Sequence, residues 1–112
     1  MIESYDFGRI VVDGAEYTSD VIIKGSQVIA NWRRREGHIL QAADLKGLDE
    51  AMPDVLIIGT GYAGMMEVPR ETRKYFVEKK VEFIVEKTKR ACDLFNSLSK
   101  SRKTVAALHL TC

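Results

Sequence analysis

A chain of 112 residues, 46% hydrophobic and 29% charged, has the size and composition of one globular domain spanning residues 1–112. Its formal net charge of +1 provides no field to gather nucleic acid or an anionic membrane, so neither is expected as a partner. Two cysteines, Cys92 and Cys112, are too few for a disulfide framework and read as reduced thiols of a cytoplasmic protein.

The first residues lack the basic-then-apolar order of a signal peptide and the Arg/Ser bias of a transit peptide. Two Gln and two Asn stand beside 17 basic and 16 acidic residues, a bias that points toward a thermophilic source. Residues 8–14, 20–24 and 27–32 are β-rich runs punctuated by Asp13-Gly14 and Gly25-Ser26, which predicts antiparallel strands. Gly25-Ser26 suits a type II′ hairpin turn, with Gly at the corner that needs a positive φ.

After Gly37 the period changes. Asp44 is expected to cap a short helix over 45–52, which Pro53 stops. Residues 55–58 are a continuous apolar run, as in a strand buried on both faces and far too short for a membrane span. Pro69 suits the first turn of a helix over 70–79. A strand over 81–85 follows. A helix over 88–100 carries Ala91, Leu94, Phe95 and Leu98 on one face, and a strand over 105–110 comes last. The order β-β-β-α-β-α-β-α-β predicts an α/β fold: N-terminal antiparallel strands, then a βαβαβ-like portion, in a mixed sheet with helices packed on it.

The apolar run ends in Gly59, Gly61 and Gly64, spaced G-x-G-x-x-G, and Glu86 stands 22 residues beyond Gly64. Both features invite a dinucleotide-binding reading. That reading needs the glycines to open directly into a helix N-terminus that receives the phosphate. Here Met65-Met66-Glu67-Val68 and Pro69 intervene. Gly59 and Gly61 are therefore read as relieving strain where a buried strand leaves the sheet, and no cofactor is expected.

Thr88, Cys92 and Asn96 recur at i, i+4 and i+8 on one flank of the third helix. They read either as the polar lining of a cleft, or as a helix cap, a small core residue and a tie to loop backbone. In segment 32–38, Trp32 beside Arg33, Arg34 and Arg35 reads either as a planar anion platform or as an exposed strand end. On a continuous strand His109 and Cys112 face opposite ways, which argues against a Cys–His nucleophile pair. Thiol chemistry at an exposed Cys112 is the weakest idea of the set. No His, Cys or acidic spacing suits a metal, and no catalytic residue is assigned.

Taken together, Trp32-Arg33 with Gly37-His38, Ala43-Asp44, the run from Leu56 to Gly61 and Val68-Pro69 give the chain a resemblance. So do Thr88, Ala91, Asn96, Leu98, Arg102, Val105 and the ending His109-x-Thr111-Cys112. The chain resembles the small α/β domains of unknown function that include the adipogenesis-associated domain-containing protein and, more distantly, the mitochondrial respiratory complex I assembly factor. The resemblance implies a three-layer arrangement with a mixed central sheet and no established enzymatic activity. It requires Gly59 and Gly61 but not Gly64 or Cys92.

The expected ligand site is a crevice at the carboxyl ends of the buried strands. Gly59, Gly61, Thr88, Asn96 and His109 are its candidates. Trp32, Arg33 and His38 are the candidates for an interaction surface. The expected role is a non-catalytic binding or assembly module for a protein partner or a small molecule. The alternative is a small enzyme or cofactor-binding protein using loop 59–64 and the start of the third helix. Edge-to-edge pairing of an N-terminal strand makes a homodimer a further expectation.

Overall fold

The computed structural model describes all 112 residues. Strands β1 (Ile2–Asp6), β2 (Arg9–Val12) and β3 (Ala15–Tyr17) form an antiparallel sheet in that order. A second sheet holds β4 (Val21–Lys24), β5 (Gln27–Ile29), β6 (Val55–Thr60), β7 (Glu82–Glu86) and β8 (Thr104–His109), in the order β5-β4-β8-β6-β7. Helix α1 (Arg70–Glu78) connects β6 to β7, and α2 (Thr88–Leu98) connects β7 to β8. The sheet is mixed: β8 and β7 run parallel to β6, while β4 runs antiparallel to both β8 and β5.

The five-stranded sheet is covered on both faces. One face packs Val21, Ile23, Val55, Ile57, Ala106 and Leu108 against Ala91, Cys92 and Phe95 of α2, and against Ile2, Ile10 and Val12 of the N-terminal sheet. The other packs Ile22, Leu56, Ile58, Val105 and Ala107 against Phe76 of α1, Leu45, Leu48 and Trp32. Every residue of β6 and of β8 is buried. That is why the sequence of β6 reads as an unbroken apolar run. Each such large side chain contributes about 1.5–3 kcal/mol by leaving water.

Three elements depart from the sequence expectation. Strands β1 and β3 are additional, so the front of the chain is a three-stranded sheet followed by a hairpin. The β4–β5 hairpin turns on Gly25 (φ 59°) with Ser26 following. The helix expected over 45–52 is a 3-10 stretch, Ala42–Glu50, broken at Leu45 (φ −120°, ψ 24°). Asp44 does not cap it from outside. Its carboxylate lies within the first turn and accepts the N–H of Gln41 at 2.8 Å and of Arg35 at 3.0 Å. Pro69 sits just before α1 with an extended ψ of 155°, not inside it. No helix is long and apolar enough to cross a membrane.

Candidate functional site

Because β8 runs parallel to β6, His109 pairs with Thr60 and ends beside the glycine loop. Residue Asp20 immediately precedes β4, whose Val21 pairs with Leu108, so the register brings Asp20 against the end of β8. There the Leu110 N–H donates to Asp20 Oδ1 at 2.7 Å, and His109 Nδ1 lies 2.8 Å from Asp20 Oδ2. Arg34 Nη2 donates to the same Oδ2 at 2.8 Å. The side chains of Arg34 and His109 are only 4% and 7% exposed, and that of Asp20 is 15% exposed.

The protons follow from this geometry. An ionised carboxylate only accepts, so His109 Nδ1 carries the hydrogen that faces Asp20. Arg34 Nη2, also 3.1 Å from Nδ1, then has no acceptor there and directs its N–H to the carboxylate. Burial alone would raise the pKa of Asp20. The hydrogen bonds from His109, the Leu110 amide and Arg34 outweigh it and hold the group below its ordinary value. Arg34 Nη1 and His109 Nε2 are buried and have no hydrogen-bond partner in the chain.

Segment 32–38 is placed by the same aspartate. The Trp32 N–H donates to the Asp20 carbonyl at 2.9 Å. Trp32 itself does not lie on the surface. It is 7% exposed, its indole N–H donates to the Asp44 carbonyl at 3.0 Å, and the Arg34 guanidinium stacks 4.6 Å from its ring centre. A ring this large is best covered on both sides, and Arg34 supplies the outer cover. Arg33 and His38 are exposed. The His38 ring meets the His109 ring edge-on at 5.7 Å, which joins the two groups of candidates expected separately into one locus.

On its other side His109 is fixed by Thr88. The Thr88 hydroxyl donates to the His109 carbonyl at 2.6 Å and accepts the Gly61 N–H at 2.8 Å. Thr88 therefore does not cap α2. Lys87 occupies the cap position and makes no side-chain capping bond. Gly59 lies beneath, where a Cβ would stand 2.8 Å from the Thr88 hydroxyl.

The loop after β6 binds the chain itself. The N–H groups of Tyr62 and Met65 donate to the carbonyls of Thr111 and Cys112 at 2.7 and 2.9 Å. Those of Gly64 and Met66 donate to Gly61 and Thr60. Gly61 has φ 108°, and a Cβ there would collide with the backbone of Cys112. The glycines thus allow residues 111–112 to lie directly on the loop, and no cavity is lined by residues 59–64.

Asn96 stands apart from this group. Its side-chain amide brackets the backbone of Ile2, with Oδ1 accepting the N–H and Nδ2 donating to the carbonyl, both at 2.8 Å. Cys92 is buried, and burial followed by the nearby Asp93 pushes its thiol up to about 12, which disfavours the thiolate at neutral pH. Cys112 is exposed. No three His, Cys, Asp or Glu residues are placed to hold a metal.

Asp20 is not among the sequence candidates, and Arg34 enters only as one of the three arginines of segment 32–38. Asp20 reads as the lead-in to a strand, and Arg34 reads as one of three solvated arginines. Its partner His109 is 89 residues from Asp20, and no local pattern signals that pairing.

Comparison with known proteins adds the relatives. Protein PH1505 from Pyrococcus horikoshii OT3 superposes with a TM-score of 0.86 at 30% identity, covering 100% of this chain and 99% of that one. A second solved structure, MT938, gives 0.82 at 28% identity, with 100% and 98% covered. A Bordetella pertussis protein described as a Mth938-like domain shares the fold at TM-score 0.78 and 20% identity, with 98% and 85% covered. No curated protein matches the sequence. The family model for a protein of unknown function, DUF498/DUF598, matches residues 2–109, and the chain belongs to that family.

Proposed function

We propose that this protein is a non-catalytic binding or assembly module, and that it recognises an anionic group where segment 32–38 lies over His109. One observation carries the reading. Arg34 Nη1 and His109 Nε2 are both buried without a partner in the chain, and the exposed His38 ring meets the His109 ring edge-on. An unpaired buried donor costs about 1–3 kcal/mol, and more for a charged group. A carboxylate or phosphate oxygen accepting from Arg34 Nη1 as His38 moves aside would recover that energy, while His109 Nε2, an acceptor because Nδ1 carries the ring hydrogen, takes an O–H of the same ligand. The resemblance to small α/β domains with no established enzymatic activity supports the non-catalytic part of this reading.

The alternative, an enzyme or cofactor binder at loop 59–64, faces a specific obstacle. Five N–H groups of residues 61–66 already bond to Thr88, to residues 111–112 and to the carbonyls of Thr60 and Gly61. A ligand there would first have to displace the chain.

The test is an NMR titration with small carboxylates and phosphate esters that reads the His109 ring and Arg34 side-chain signals. Saturable shifts at both, tightened by His38→Ala, which removes the covering ring, are the expected result. If both signals stay fixed across the panel, the reading is wrong. If instead the amides of residues 59–64 respond, the alternative takes its place.

A further inference from the structure

The largest cavity of the molecule lies at the opposite end of the five-stranded sheet. It is a cleft of about 340 Å³ between the β4–β5 turn, the segment leaving α2 and the start of β8. Lys24, Arg102 and Lys103 line it, with Gln27, Ser99 and Thr104 between them, and no acidic residue does. In a chain of net charge +1, three cations around one cleft are a local concentration.

Two of these three cations are not accounted for by ion pairs of the fold. Arg102 pairs with Glu82 at 2.7 Å, but Lys24 and Lys103 form no ion pair. Two of the last four carbonyls of α2 are met by backbone N–H groups and not by these cations. Phe95 O accepts the N–H of Ser99, and Leu98 O accepts those of Ser101 and Arg102. The Gln27 amide and the Ser99 hydroxyl make no hydrogen bond within the chain and remain available, whereas the Thr104 hydroxyl already donates to Arg102 O.

We propose that this cleft is a binding site for a small phosphate monoester, with the phosphate dianion between Lys24 and Lys103 and the ester's body against Ala51 and Val105. The volume falls within the range of small-molecule sites. Two lysines from different segments suit a dianion approached as point charges, and Gln27 and Ser99 add neutral donors. The site is independent of the His109 locus.

Phenyl phosphate is a suitable probe, titrated into the intact chain with inorganic phosphate and phenylacetate as parallel arms. Saturable NMR shifts are expected at the amides of Lys24, Gln27, Ser99 and Thr104. Binding should weaken about tenfold with each of Lys24→Ala and Lys103→Ala, at unchanged melting temperature, and should fall with added salt. Lys103→Glu should abolish it. The proposal fails if those amides do not move, or if the double alanine variant binds as the parent does. It also fails if inorganic phosphate or phenylacetate binds as tightly as the ester.

Discussion

At the carboxyl ends of β6 and β8 the chain closes on itself. Thr88 joins Gly61 to His109, Asp20 joins His109 to Arg34, and residues 111–112 lie along the glycine loop. At the other end of the same strands, Lys24, Lys103 and Arg102 surround a cleft of about 340 Å³. In open α/β sheets the carboxyl end is the customary ligand site, because helices departing to opposite faces leave a crevice there. Here α1 and α2 do pack on opposite faces. The crevice is nevertheless filled by segments 32–38 and 110–112. The rule locates the polar convergence; whether that convergence is open depends on segments outside the βαβ unit.

The largest effect that would sharpen this contrast is at Gly61. Gly61→Ala combines a φ of 108° with a collision against the Cys112 backbone, and should cost about 3–4 kcal/mol in urea denaturation. A variant as stable as the parent would mean that residues 111–112 do not hold the loop.

Asp20→Asn should follow, at about 3 kcal/mol at neutral pH, because it leaves the buried Arg34 uncompensated. Its pH dependence has a definite sign. The pKa of Asp20 in the folded state is lowered from an ordinary 3.8, so its contribution is complete above that value. The contribution is lost as pH falls through the lowered pKa. Denaturation series from neutral to strongly acidic pH should therefore show parent and variant converging on the acid side. A gap that stays constant would show that the aspartate's charge is not what stabilises this end.

The smallest effect should come from the open end. Gly25→Ala meets no atom within 4 Å, so only its φ of 59° matters, and the loss should be about 1 kcal/mol. A loss as large as that at Gly61 would erase the distinction between the two ends.

The second half of the chain was legible because its periods are strong. Helices α1 and α2 and strands β6, β7 and β8 lie within two residues of the positions read from apolar spacing. Strand β1 was not legible. Its sequence Ile-Glu-Ser-Tyr-Asp buries only Ile2, and its place depends on β2 and on the distant Asn96. The 3-10 stretch reads as an α-helix in the sequence because Leu45 and Leu48 suit either geometry. At the site, Thr88, Gly61 and His109 stood out as unusual residues in apolar surroundings. Asp20 did not, since an aspartate before a strand is ordinary until the register sets it against β8.

The position of β8 also bears on synthesis. It lies between β4 and β6, yet of these eight strands it is made after all the others. Until it emerges, β4 and β6 each lack the neighbour that covers one edge. The amide of Ile2 waits for Asn96, and the carbonyl of Leu110 must arrive before Gly8 can bond to it. A nascent chain halted before residue 104 would therefore display two apolar strand edges at once, so this sheet cannot close until residues 104–109 are made, and a chain stalled earlier would carry a sticky intermediate.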